Sequence, residues 1–246
     1  MIGLAPAFGQ LQLGRKGNNL PGYENRLLHY GFFVAVNYST FRAQHSSYFQ
    51  DQLDGTLFEN IEEVEDVAVA NPILALQPKG FGGFTLGFVL NLHLGEHFDL
   101  RFTPGASFYQ RQVEYTFSGN LPDEETNSST QLSGTIFSFI ETPLLLKFKS
   151  ARRQNVRLYL VGGVRPGLEV GARRNETSDE VLRTENTDFS IEYGIGADLY
   201  YPLFKFSPEL RFSHGISDMK LTSTNPFARS LRRLTTHTVT LYFFFE

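Results

Sequence analysis

From Phe204 to Ser213 the chain alternates between two kinds of residue. Phe204, Phe206, Leu210 and Phe212 are interleaved with Lys205, Ser207, Glu209, Arg211 and Ser213. A period of two means a β-strand with two unlike faces, one apolar and one charged. The pattern recurs near 29–41, 82–94, 98–117, 133–149, 156–170, 188–200 and 234–246. In the first of these, Tyr30, Phe32, Val34, Val36 and Tyr38 share one face. In the fifth-numbered run, Leu158, Leu160, Val164 and Leu168 oppose Arg157, Tyr159, Arg165 and Glu169.

Which face points inward depends on the surroundings. In a water-soluble barrel the aromatic face is the core; in an outer-membrane barrel it meets lipid and the charged face lines the lumen. Two features select the second arrangement. Each run is long enough to cross a bilayer at the usual tilt, whereas strands of soluble proteins average about five or six residues. The connections also alternate: short at 95–97, at 150–155 and around Pro202, long at 42–79, 118–132, 171–187 and 219–233. The expected fold is therefore all-β: an antiparallel up-and-down transmembrane β-barrel of about eight strands, with short periplasmic turns and long extracellular loops. An even strand number returns both termini to the short-turn rim, which places them in the periplasm of a bacterium.

Composition sharpens this picture. The 246 residues include 24 Phe and 11 Tyr but no Trp, and no Cys, which excludes disulfides and thiolate chemistry. The net charge of -4 comes without a basic stripe, so no nucleic-acid partner is expected. No apolar run is long enough for a transmembrane helix. The start, MIGLAPAFGQ, reads like the end of a secretory leader with a small-x-small site at Ala7-Phe8-Gly9. The expected organisation is a leader remnant over 1–9, a periplasmic N-terminal segment over 10–28 and the barrel over 29–246.

The predicted lumen face carries Arg101, Arg111, Lys147, Arg157, Arg165, Lys205 and Arg211, countered by Asp99, Glu141, Glu169, Glu192, Asp198 and Glu209. A wet surface needs no such balance of signs, but a narrow lumen does, because a buried charge without a partner costs several kcal/mol. Arg101, Glu141, Lys147, Arg165, Glu192, Asp198, Lys205, Glu209 and Arg211 form the candidate lumenal charge network. With a tight turn at Tyr201-Pro202, Asp198 would oppose Lys205 and Glu192 would oppose Arg211. Gly83, Gly87, Gly105, Gly163, Gly194 and Gly196 on the same face leave room for long side chains.

Signals for other chemistry are sparse. None of the six histidines has metal-ligand spacing along the chain. His214 and Asp218 fall near the outer rim without a second acid–base pair, so no catalytic site, cofactor or small-molecule substrate is expected. The acidic loop from Asp51 to Pro72 is a candidate partner-contact surface through Asp51, Asp54, Glu59, Glu62, Glu63, Glu65 and Asp66. It has no EF-hand spacing.

The segment FKFSPELRFSHG is more particular than alternation requires. With it come, in order, His29-Tyr30-Gly31-Phe32, Gly83-Phe84-Thr85-Leu86-Gly87, Leu100-Arg101-Phe102-Thr103-Pro104-Gly105, Glu141-Thr142-Pro143-Leu144-Leu145-Leu146-Lys147-Phe148 and Gly194-Ile195-Gly196-Ala197-Asp198. In this order they resemble the PorT family, called SprT where gliding motility is also served: outer-membrane barrels of the type IX secretion system. The resemblance implies a part in exporting proteins with a type IX C-terminal signal, in company with the translocon or its assembly components. A barrel of about eight strands is only wide enough for its own side chains. The implied role is therefore that of an accessory and not of the conduit. The alternative from another class is a stand-alone surface barrel, of the OmpX or OmpA kind, that binds partners through its loops or stabilises the envelope.

Overall fold

The computed structural model describes residues 19–23, 26–45, 73–118, 128–170, 186–218 and 231–246. Among these residues are β1 (Leu28–His45), β2 (Ile73–His93), β3 (Phe98–Phe102), β4 (Gly105–Ser118), β5 (Ser128–Glu141), β6 (Leu144–Lys149), β7 (Val156–Glu169), β8 (Thr187–Tyr200), β9 (Lys205–Gly215) and β10 (Leu231–Phe245). β3 and β4 are two halves of one strand interrupted at Thr103-Pro104, and β5 and β6 are two halves interrupted at Thr142-Pro143. Every pairing is antiparallel between neighbours in sequence, and β10 returns to pair with β1, from Phe32 opposite Phe245 to His45 opposite Leu231. The result is a closed up-and-down ring of eight strands without a free edge.

The two interruptions lie side by side. Phe102 pairs with Leu144 and Gly105 with Glu141, while the Thr103 amide donates to the Pro143 carbonyl (3.1 Å) and the Phe88 amide to the Pro104 carbonyl (2.9 Å). Proline has no N–H to give the ladder, so both strands lose a bond at the same level. Gly87 and Gly105 pair beside that break. A Cβ on Gly87 would stand 2.3 Å from the Pro104 carbonyl oxygen, and on either glycine within 2.9 Å of the Phe33 ring tip.

The faces divide as the alternation requires. Tyr30, Phe32, Val34, Val36, Phe84, Phe88, Leu158, Leu160, Ile191 and Ile195 are exposed on the outer wall, while Arg101, Arg165 and Arg211 are among the largest fully buried side chains. Stacked rings from Phe32, Phe206, Phe243 and Phe245 form a belt on the wall near the short-turn rim. Such an inside-out distribution suits lipid as the outer solvent.

Two expectations from the alternation change. β1 runs on to His45, β2 begins at Ile73 and β5 at Ser128, so the hairpins rise beyond the segments that the sequence marks. The added stretches do not alternate: Ile73-Leu74-Ala75-Leu76 is an apolar run and Ser128-Ser129-Thr130-Gln131 a polar one. The β8–β9 register also differs: Glu192 pairs with Ser213 and Tyr200 with Lys205, two residues away from the tight-turn register. The connection takes in four residues, 201–204, closed by the Tyr201 amide donating to the Phe204 carbonyl at 2.9 Å, with the two rings stacked at 5.1 Å.

Candidate functional site

The lumen is where this sequence spends its unusual chemistry. At mid-height the Arg101 side chain, carried inward by β3, meets Glu209 of β9 and donates through Nε to Asn91 Oδ1 at 2.8 Å. Glu209 also accepts from Arg211 on its own strand, and Arg211 reaches Glu192 of β8 at 3.2 Å. One level toward the long-loop rim, Arg165 lies 3.5 Å from Glu141 and 3.9 Å from Glu192. Glu141 in turn accepts from Ser107 (2.6 Å) and Tyr109 (2.7 Å). One level the other way, Lys147 of β6 donates to both Asp198 carboxylate oxygens at 2.8 and 2.7 Å, with Ser207 adding a bond of 2.7 Å. Lys205 closes the lower end on Glu246 at 2.8 Å.

Rings fill the gaps between charges. Arg101 lies over the Tyr159 and Phe244 rings (5.2 and 4.6 Å), Arg211 over Tyr242 (4.2 Å) and Lys147 over Tyr159 (3.6 Å). Each such contact adds attraction that is largest where water is excluded. Gly196 makes room for Tyr159, since a Cβ there would sit 2.4 Å from the ring. All nine residues of the candidate network are buried and each has an ion-pair partner among the others or Glu246. Of the two cross-strand pairs expected, Glu192 with Arg211 forms, at 3.2 Å and in a shifted register, and Asp198 with Lys205 does not. Asp198 finds Lys147 from β6, across β7, instead of Lys205 from the next strand. Lys147 takes that place because in so narrow a ring a long side chain reaches past the neighbouring strand.

Several participants were not singled out in the sequence. Glu246 receives Lys205, Asn91 and the Tyr23 hydroxyl, and Lys149 pairs with Asp99 beside His93. Burial alone would raise the Glu246 carboxyl, but Lys205 and Arg101 hold it down at about 2. Asn19 to Tyr23 lie over the short-turn rim. Asn19 donates to Asn155 and to the Tyr200 carbonyl, Arg152 donates back to Asn19, and Tyr23 stacks on His29 at 4.2 Å. Gly22, with φ of 79°, provides the left-handed turn that brings Tyr23 back over the lumen. The charge balance of the strands could not reveal this cover, because its contacts come from residues without any period.

Other expectations fall elsewhere. Arg111 is outside the residues whose side chains are described, and so are residues 1–18 and the acidic loop with Asp51, Asp54, Glu59, Glu62, Glu63, Glu65 and Asp66. Glu169 is half-buried at the far end of β7. His214 faces outward, beside Tyr193 and His237, while Asp218 accepts the Leu234 amide at 3.0 Å. Among the described residues no helix is long and apolar enough to cross a membrane.

A closed ring with a lipid-suited wall and a charged interior defines a transmembrane β-barrel of the outer-membrane type. The sequence matches the family described as outer membrane protein beta-barrel domain over residues 9–221, and the chain belongs to that family. It therefore resides in the bacterial outer membrane and contacts its lipid. No curated protein matches the sequence. Among solved structures, OprG from Pseudomonas aeruginosa is similar at 9% identity, with a TM-score of 0.41 over 87% of this chain and 93% of that one. Ail, the attachment invasion locus protein of Yersinia pestis, has 14% identity and a TM-score of 0.33 over 87% and 97%. LpxR from Salmonella typhimurium has 9% identity and a TM-score of 0.23 over 84% and 99%.

Proposed function

We propose that this barrel is a non-catalytic accessory of the type IX protein secretion system, working through the translocon or its assembly and not as the conduit. The observation that carries the second half is the lumen: Arg101, Glu209, Arg211 and Glu192 meet at its centre, leaving no room for cargo. The first half rests on the ordered resemblance from His29 to Gly215. A barrel that transports nothing acts through its surfaces: the lipid-facing wall, the short-turn rim or the long loops, with the acidic loop from Asp51 to Asp66 as the candidate contact. In this reading the loops face outside and both termini are periplasmic.

A stand-alone surface barrel is the second reading, favoured by the rise of β1, β2, β4 and β5 into long hairpins beyond the wall. A clean deletion separates the two. The first reading expects type IX cargo to accumulate unprocessed in the periplasm, with other outer-membrane proteins at normal levels. Normal cargo export would leave the stand-alone barrel. Removing Asp51–Asp66 from the folded barrel then asks whether the loop or the wall is the working surface.

A further inference from the structure

The outer wall changes character at one level on two paired strands. From Tyr30 to Tyr38 every outward residue of β1 is apolar or aromatic, and so is every outward residue of β10 from Phe245 back to Val239. Tyr38 pairs with Val239, and the next outward pairs are Thr40 with His237, Arg42 with Thr235 and Gln44 with Arg233. All six of these residues are polar. No outward position of β1, β9 or β10 carries a carboxylate. Asp218, past the end of β9, accepts the Leu234 amide at 3.0 Å.

Two guanidiniums therefore stand side by side without an acid between them. Arg42 and Arg233 are diagonal neighbours on adjacent strands, a backbone spacing of about 7–8 Å that long side chains bridge. Arg233 is steadied by donating through Nη2 to the Ile216 carbonyl. Arg42 is exposed and has no ion pair with a carboxylate among the described residues. Neighbouring like charges repel, and an anion held between them turns that repulsion into attraction.

Their height says which anion meets them. Counting from Phe245 at ~3.4 Å per residue and a ~40° tilt, Thr235 beside Arg42 stands about 26 Å above the belt of Phe rings and Arg233 about 31 Å, against an apolar band about 25 Å tall. Tyr38 and Tyr193, exposed just below, take the place of the second aromatic girdle. We propose that Arg42 and Arg233, with the Thr235 hydroxyl between them, bind the phosphate of an anionic lipid headgroup in the leaflet on the long-loop side. A guanidinium presents a planar fork that matches phosphate oxygens. A soluble anion gains only those contacts, whereas a lipid also lays its chains on Val36, Tyr38, Val239 and Leu241 directly beneath. The site holds for either reading of the barrel's function.

The test uses the folded barrel in neutral detergent, with lipid A, a phosphorylated acyl disaccharide, and with the same lipid enzymatically stripped of phosphate. Native mass spectrometry across a lipid titration should give the wild type an affinity at least tenfold higher for the phosphorylated form. Arg42→Gln and Arg233→Gln should each lower lipid A affinity about fivefold and leave that of the stripped lipid unchanged. The double variant should no longer distinguish the two lipids. Both arginines face outward, so the variants should keep the wild-type heat-modifiable gel mobility, which checks that the barrel is intact. Millimolar inorganic phosphate should leave lipid A bound, because it lacks the chains that lie on the wall. Equal wild-type affinity for the two lipids, or an unchanged preference in the double variant, would overturn the proposal. Displacement of lipid A by inorganic phosphate would overturn the lipid assignment in favour of a soluble anion.

Discussion

Glu209 is the acceptor on which two guanidiniums converge: Arg101 from the opposite side of the ring and Arg211 from its own strand. Its side chain is fully buried, as are both partners. Water cannot replace it, so a truncated carboxylate leaves two cations facing one another across a dry gap. Removing one member of a buried pair typically costs about 3–5 kcal/mol. Glu209→Ala should lose at least that much in urea unfolding from lipid vesicles, followed by heat-modifiable mobility. An unchanged unfolding midpoint would mean that the network contributes no stability. Replacing Glu246, which sits at the rim and shares its load with Asn91 and Tyr23, should matter less than replacing Glu209.

At the scale of elements, the connections decide how the barrel sits. The four-residue stretch after β2, the six before β7 and the four after β8 lie on one rim, with the long connections on the other. Cysteines at Asp54, Thr126, Asp179 and Thr224 should react with an impermeant maleimide on intact cells, and cysteines at Glu96 and Gln154 should stay protected. Labelling at Glu96 in unbroken cells would invert the orientation. The strands themselves were legible in the sequence because lipid enforces a strict period of two: Tyr30 to Tyr38 and Leu158 to Leu168 could face only one way. What escaped has a physical reason in each case. The added ends of the hairpins do not alternate: Ile73 opens an apolar run and Ser128 a polar one. The β8–β9 register depends on how Tyr201 and Phe204 close the turn, which the charges of Asp198 and Glu192 do not control. The approach of His214 to His237 follows from pairing of β9 with β10 and has no trace in histidine spacing along the chain.

For the whole molecule, the ring size and the filling of the lumen together limit what the barrel does. Eight strands enclose a space that side chains can fill, and here arginines, lysines, carboxylates and rings fill it. The segment with Asn19 and Tyr23 covers the short-turn end as well. A barrel so filled leaves its outer wall, rims and loops as the surfaces open to a partner, and the proposed accessory role and the surface-binding alternative both rest on that. The most direct measurement of this closure is single-channel recording of the purified barrel in a planar bilayer. A sealed lumen predicts a quiet membrane, without stable conductance steps at moderate voltage. Long-lived steps of the size of a water-filled porin would contradict it, and with it the exclusion of a conduit.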